Sequence, residues 1–307
     1  MIVIEGVAAR RPPLALASVS LAWEAGVHSL VGARNDGGPL LLELLAGTTR
    51  PRAGRVRVLG GSPTDADVRR QVAHIPLSPA LPDALRVGET LALAAELRDE
   101  PALDPAGRLA LLGVEALAER RVPSLSRAEA RAVALAEGLT STRVRVLLVD
   151  EPLVTMDPRA AGCLAGVLRA RAREGRAIVV CTASARDAGE VADDHTLLRE
   201  GAVVGAVRSL DELATLSPGG AWVRLVAHDG AGARAIVGAL ARAADVTAVE
   251  SREATVRVRG RDALALARAI AGSVLEAGID VIELRLEPPS LDQTRAGIAA
   301  PAAGSAL

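Results

Sequence analysis

Residues 31–49 read VGARNDGGPLLLELLAGTT, and residues 145–152 read RVLLVDEP. The first stretch follows the apolar run VHSL, which reads as a buried strand. Its second half, PLLLELLAG, is leucine-rich and stops at Gly47, as helices tend to stop at glycine. Between strand and helix lies a loop, Arg34 to Gly38, with glycines at 32 and 37. The second stretch is apolar without alternation, the pattern of a parallel strand covered on both faces. It ends in two adjacent acids, Asp150 and Glu151. Strand, glycine loop and helix, followed by a buried strand ending in acids, predict an α/β protein.

Outward from these segments, strand-like and helix-like stretches alternate. MIVIEGV, SVSLAW (18–23), GRVRVLG (54–60), VAHIPL (72–77) and AIVVCTA read as strands. Residues 88–98, 104–119 and 158–173 read as helices, as does the short stretch 186–192. SRAEARAVALAEGLT (126–140) reads as a helix opened by a capping box, with Ser126 as N-cap and Glu129 three positions on. HTLLREGAVVGAV reads as a hairpin turning at Glu200-Gly201. Proline and glycine cluster in LSPGG (216–220), which marks a boundary. Beyond it the order is β-α-β-β-α-β, the ferredoxin-like pattern. The expected domains are therefore 1–216 and 221–298, with 299–307 as a frayed tail.

Composition narrows the chemistry. The chain has 307 residues, 50% hydrophobic and 24% charged, with a formal net charge of -1. That is a globular composition, with no basic excess that would call for nucleic acid or an anionic membrane surface. All 36 basic residues are arginine, so no lysine can grip a phosphate or form a Schiff base. Tyr and Phe are both 0, so neither ring can stack on a base. Cys163 and Cys181, the 2 cysteines, make neither a disulfide framework nor a zinc site and are expected to pack in the core. The four histidines show no ligand spacing, and His74, His195 and Trp222 are expected to be structural. The N-terminal residues do not read as a secretory signal, and no apolar run is long enough to span a bilayer, so a cytoplasmic protein is the expectation.

A phosphate-binding P-loop reads G-x-x-x-x-G-K-[ST] between a strand and a helix. Gly32 and Gly37 hold its two glycine positions. Gly38 stands at the lysine position and Pro39 at the hydroxyl position. The glycines would still allow backbone N–H groups to curl around an anion at a helix start. The lysine charge and the magnesium-binding hydroxyl are gone, and Pro39 removes one further N–H donor. Losing one preorganised donor in a reacting site costs about 3 kcal/mol. Arg34 is the nearest cation. It either replaces the lysine or is a solvated loop residue.

In order along the chain, these stretches make residues 1–215 resemble the nucleotide-binding subunit of an ABC transporter. LLELLAGTTRPRAGRVRVLGGSP is similar to the segment after the Walker A loop, and VAHIPLSPAL to the Q-loop region. LSRAEARAVALAEGL is similar to the signature segment and its helix, VRVLLVDEP to the Walker B strand, VTMDP to the D-loop, and AIVVCTASARDAGEVAD to the switch region. The C-terminal part resembles the small domain of ABC-2-type exporter ATPases, with LRLEPPSLDQT similar to their terminal segment. The resemblance implies a P-loop NTPase-like α/β fold with a mixed sheet core and a helical subdomain. It also implies ATP with Mg²⁺ as cofactor, a membrane permease as partner, and a second ATPase subunit. The protein would then sit peripherally on the inner face of the cell membrane.

Carried over position by position, the resemblance implies nucleotide contacts at Gly32, Arg34, Asn35, Gly37, Gly38, Ser126 and Asp157. Asp150 would hold magnesium, and Glu151 would activate the attacking water. The same carry-over puts Leu77 where the family has its Q-loop glutamine and Ala183 where it has the switch histidine. The signature reads Leu125-Ser126-Arg127-Ala128-Glu129, with side chains where phosphate would meet bare backbone. Asp150 and Glu151 could equally persist as strand-end acceptors after catalysis has gone. Asp157 could keep a role in a dimer interface. Three readings follow: an exporter ATPase subunit with hydrolysis impaired or absent, in which a heterodimer is favoured over a homodimer; a scaffold or regulator using the fold for protein contact; and an active ATPase with displaced groups.

Overall fold

The computed structural model describes residues 1–101, 104–154, 156, 158–207, 221–240, 246–260, 263–276 and 278–287. The chain forms two compact units, Met1–Ala206 and Val207–Leu307. The boundary expected at 216–220 and the tail 299–307 lie outside the described residues.

The first unit runs β1 (Ile2–Arg11), β2 (Leu14–Trp23), β3 (Gly26–Val31), α1 (Gly38–Leu45), β4 (Ala53–Val58), α2 (Ala66–Arg70), β5 (Val72–Ile75), α3 (Val87–Leu97), α4 (Pro105–Ala110), α5 (Arg127–Thr140), β6 (Val146–Asp150), α6 (Pro158–Arg173), β7 (Ala177–Thr182), α7 (Ala185–Val191), β8 (Asp194–Arg199) and β9 (Ala202–Val207). Two sheets organise it. One is a three-stranded antiparallel sheet in the order β2-β1-β4. The other has six strands in the order β5-β6-β7-β3-β8-β9, and its first five strands are parallel. Every residue of β6 and β7 is buried, which is why neither strand alternates in sequence. Helix α1 and the small sheet cover one face of the large sheet, through Ile4, Leu41, Leu45, Leu148 and Val179. Helices α5, α6 and α7 cover the other face, through Leu135, Leu164, Leu168, Val180 and Val191. β8 and β9 turn at Glu200 (φ 50) and Gly201 (φ 82), the left-handed pair that two-residue hairpin turns require.

The helix expected over 104–119 is shorter than its periodicity suggests. α4 ends at Ala110, and a separate single 3₁₀ turn covers Glu115–Leu117. Gly113, at φ 68, takes the left-handed position. Its N–H bonds to the Ala110 carbonyl, and the Val114 N–H to that of Leu109. This is a Schellman stop. Cys163 is also a correction: it is exposed, while Cys181 is buried as expected. On α6 the residues Leu164, Ala165 and Leu168 face the sheet, and position 163 falls outside that stripe.

β3 and β8 are joined by polar pairs on both faces. Ser29 Oγ lies 2.7 Å from His195 Nδ1. On the other face His28 Nδ1 lies 2.7 Å from Asp194 Oδ2, its Nε2 lies 3.0 Å from the Glu24 carbonyl, and its ring stacks on Trp23. Burial disfavours the His28 cation, but the hydrogen bond and charge of Asp194 outweigh it and raise the pKa above 6.5. Burial lowers His195 and His74. A raised histidine pKa stabilises the fold fully below the ordinary value, and that stabilisation is lost as pH rises through the folded-state pKa. The two lowered histidines act oppositely, losing stability as pH falls below 6.5. In urea titrations the stability gap between the native chain and His28→Gln is therefore expected to be wider at pH 6 than at pH 9. A gap independent of pH, or one widening with pH, contradicts the ion pair.

The second unit runs β10 (Ala221–Ala227), α8 (Gly230–Leu240), β11 (Val246–Arg252), β12 (Thr255–Gly260), α9 (Ala263–Glu276) and β13 (Val281–Glu287). Its four strands are antiparallel in the order β11-β12-β10-β13. Both helices pack on one face around Val223, Leu225, Ile236, Val258 and Ile270. Trp222 is buried on the other face beneath the Arg257 guanidinium, which sits 4.8 Å from its ring centre.

Candidate nucleotide site

Strands β3, β7 and β6 are neighbours and parallel, so their carboxyl ends bring three loops together: Gly32–Gly38, Thr182–Ser184 and Asp150–Glu151. Of the residues expected from sequence, Gly32, Arg34, Asn35, Gly37, Gly38, Asp150 and Glu151 lie on these loops.

The glycine loop stands without a ligand. The Gly32 N–H donates to the Thr182 carbonyl at 3.2 Å. A Cβ on Gly32 would lie 2.7 Å from the Leu198 carbonyl oxygen. A Cβ on Gly37, at φ 95, would lie 2.6 Å from that of Ala15. Backbone packing alone therefore demands both glycines. Between them Arg34–Asp36 forms a 3₁₀ turn. Asp36 is 3% exposed. Its Oδ2 accepts the Ala33 N–H at 2.7 Å and its Oδ1 the Glu200 N–H at 2.9 Å, while its carbonyl accepts the Gly201 N–H at 3.2 Å. The loop is thus closed by its own carboxylate and fastened to the β8–β9 turn. Sequence reasoning passed over Asp36. Its only local signal is an acid three residues after an extended one.

Gly38 opens α1, with Pro39 next in the first turn. A Cβ at position 38 would overlap Cys181 Sγ. Burial pushes the Cys181 thiol well above its ordinary pKa, and Asp150 and Glu151 push it further, so it is a neutral filler. Arg34 and Asn35 are exposed.

Asp150 ends β6 and is buried. Burial raises its pKa and the adjacent Glu151 raises it further, against the Arg34 and Arg131 charges and the Leu77 N–H. Arg34 thus acts electrostatically on the acid, and Leu77 donates to the carboxylate through its backbone. Glu151 holds a left-handed φ of 49. Its N–H donates to the Cys181 carbonyl at 2.7 Å. Its Oε2 accepts from Thr182 Oγ1 at 2.8 Å and its Oε1 from the Ala183 N–H at 2.9 Å. Both oxygens of the would-be water activator are therefore engaged by the β7 loop. Arg131 was not anticipated either. It is 3% exposed on α5, and its guanidinium donates to the carbonyls of Asp150, Glu151 and Pro76.

Ser126 caps α5 as its spacing implies, accepting the Glu129 N–H at 3.2 Å and donating its own N–H to Glu129 Oε2 at 2.7 Å. Glu129 Oε1 also meets Arg120 at 2.6 Å, so its charge is compensated within the chain. Asp157 lies outside the described residues.

Two positions, 38 and 39, depart from what would hold a magnesium nucleotide. The lysine position has no side chain and a thiol packed against it, and Pro39 offers no hydroxyl, whereas Asp150 and Glu151 stand where acids would hold the metal and its water. No hydrolytic step is derived from them.

Residues 16–154 match the family model for ABC transporters. The chain is 34% identical over 206 residues to a hemin import ATP-binding protein, HmuV, of Bordetella pertussis, covering 61% of this chain and 78% of that one. It is 32% identical over 198 residues to the HmuV of Thermobifida fusca, covering 61% and 69%. It is also 29% identical over 206 residues to a ribose import ATP-binding protein, RbsA, of Cereibacter sphaeroides, covering 62% of this chain and 41% of that one. It spans about two fifths of the length of that protein and of a Streptomyces avermitilis relative. Among solved structures, an ATP-binding subunit of an ABC transporter superposes with a TM-score of 0.61 at 20% identity, covering 69% of this chain and 91% of that one. A post-hydrolysis dimer of an ATP-binding cassette bound to ADP and Pi gives 0.61 at 18%, covering 68% and 98%. With the mixed sheet, the loop-to-helix turn after β3 and the acid pair closing β6 already in place, the chain belongs to the ATP-binding proteins of ABC transporters.

Proposed function

We propose that the protein is the ATP-binding-cassette subunit of an ABC-2-type exporter in which hydrolysis is impaired or absent. It pairs with a membrane permease and with a second ATPase subunit, at the inner face of the cell membrane. The observation that carries this reading is the Gly38–Cys181 contact: where the family's lysine would meet the phosphates, a glycine is closed over by a buried neutral thiol. The named relatives above are import proteins, whereas the export assignment rests on the C-terminal segment and its β-α-β-β-α-β order. No helix among the described residues is long and apolar enough to cross a membrane.

A cleft of about 670 Å³ between the β5 end and the helices α3 and α5 supports the permease assignment. Leu81, Leu91 and Leu97 line it, Arg69, Arg70 and Arg98 rim it, and Leu97 is 67% exposed. Its apolar floor and arginine rim suit a short amphipathic helix from a membrane subunit.

Reconstituted with its permease and partner ATPase, the Glu151→Gln variant is expected to transport at the native rate, because Glu151 is already occupied by Thr182 and Ala183. A collapse of transport in Glu151→Gln would favour an active ATPase with displaced groups, in which Arg34 serves the phosphates.

A further inference from the structure

We infer that the second unit pairs with its counterpart in another copy of this chain through the outer edge of β13. Its observations all lie within residues 221–287, so it does not depend on whether the nucleotide loop binds anything.

β13 is an edge strand: among the described residues it is hydrogen-bonded only to β10. Among the described residues no strand lies against its other side, which is a template for another strand. Folded chains usually blunt such an edge with charge, proline or a cover. Here Ile282 is 68% exposed and Leu284 47% exposed. Leu275 on α9, the helix that covers this half of the sheet, is 81% exposed. The edge is therefore apolar in its middle, with a break in the ladder register at Ile282 and one acid and one base flanking Leu284.

The sequence V-I-E-L-R-L-E, residues 281–287, selects both the partner and the register. A two-fold axis through Leu284 makes the two strands antiparallel. Glu283 then stands opposite the second copy's Arg285, and Arg285 opposite its Glu283. Paired residues in an antiparallel ladder share a face, so these two charge pairs form on the same side of the joined sheet. The register of β13 on β10 puts Glu283 and Arg285 beside Val226 and Arg224, on the face away from the helices. Glu283 already lies 4.0 Å from Arg224, at the limit of an ion pair and half-exposed, so it remains open to a second cation. Moving the axis to Glu283 sets two acids against each other. Moving it to Arg285 sets two arginines against each other. Shifting by a single residue places charge opposite leucine and turns every side chain to the other face. An axis through Leu286 also sets Arg285 opposite Glu287 twice, but of these two, among the described residues, only the Leu284 register gives both exposed Ile282 and Leu284 a facing residue. A strand that complements itself about a two-fold axis fits a second copy of its own chain, the isologous arrangement of most homodimers. The product is one continuous eight-stranded sheet, with four strands from each copy.

Sedimentation of the full chain tests this through charge reversal. The native chain is expected to show a concentration-dependent dimer. Arg285→Glu alone places acid against acid twice per dimer, and Glu283→Arg alone places base against base twice, so each should weaken dimerisation at least about tenfold. An equimolar mixture of the two variants restores both opposite-charge pairs and should restore the dimer. Association through the first unit would ignore these changes. Dimerisation unchanged in either single variant, a mixture that stays monomeric, or a native chain that is monomeric at its highest soluble concentration overturns the proposal.

Cross-linking gives an independent reading should either charge variant fail to fold. Leu284→Cys in a Cys163→Ser background puts two thiols face to face on the axis, at a separation a disulfide spans. Mild oxidation should give a covalent dimer in high yield, and its absence contradicts the pairing.

Discussion

Replacing Gly38 with lysine, the change that would nominally repair the loop, is expected to destabilise the protein by about 1–3 kcal/mol, the range for inserting atoms into a filled core. Gly38 is buried, and a Cβ there overlaps Cys181 Sγ. The lysine ammonium would also enter beside a thiol buried against the sheet, paying desolvation before it reached any phosphate. Cys181→Ala removes the obstruction, because the next nearest atom, the Cys181 Cβ, is 3.7 Å from the added carbon. The double variant Gly38→Lys/Cys181→Ala should therefore be more stable than Gly38→Lys alone, a rescue no additive model predicts. Urea titrations of the four chains decide the matter. If Gly38→Lys unfolds at the native midpoint, the lysine position is open space and the filled-pocket account fails.

The second large effect is expected away from this site, at Glu100. Glu100 and Arg108 are both buried, with the Arg108 guanidinium 3.1 Å from Glu100 Oε2. Glu100 Oε1 also accepts from the Ser141 hydroxyl and, at 2.6 Å, from the Arg143 N–H. Burial opposes this carboxylate, but Ser141, the Arg143 N–H and Arg108 together hold its pKa below the ordinary 4.5. The group therefore stabilises the fold above that ordinary value, and the contribution is lost as pH falls through the folded-state pKa. Among the described residues Arg108 Nε and Nη1 have no hydrogen-bond partner, so the guanidinium depends on Glu100 for its compensation. Glu100→Ala should cost about 3–5 kcal/mol, as expected when one member of a buried ion pair is left alone. Glu100→Gln/Arg108→Met keeps an acceptor for Ser141 and Arg143 while removing both charges, and should cost far less. A loss below about 1 kcal/mol for Glu100→Ala would mean that the pair is solvated.

Much of this was legible in the residues. The unbroken apolar run of β6 announces a strand buried on both faces, and its two acids mark the strand end. Ser126 and Glu129 announce the start of α5. What escaped the sequence depends on partners distant along the chain. Asp36 closes the glycine loop, but one of its partners is Glu200, on the β8–β9 turn. Arg131 carries no local signal in its helix, yet the fold turns it beneath the carbonyls of Asp150 and Glu151. The helix expected at 104–119 fails at one residue, Gly113, whose left-handed conformation a composition count does not weigh. Gly32 and Gly37 carry a further lesson. They match a phosphate-binding pattern, yet neighbouring carbonyls would exclude any side chain there, so the pattern can outlive its ligand.

Calorimetric titration of the full chain with ATP and excess Mg²⁺ tests the central claim most directly. The filled lysine position and the missing hydroxyl predict no saturable heat up to millimolar nucleotide, a binding free energy weaker than about -4 kcal/mol. Saturation in the micromolar range, abolished by Asp150→Asn, would show that the loop still grips triphosphate and would contradict the account.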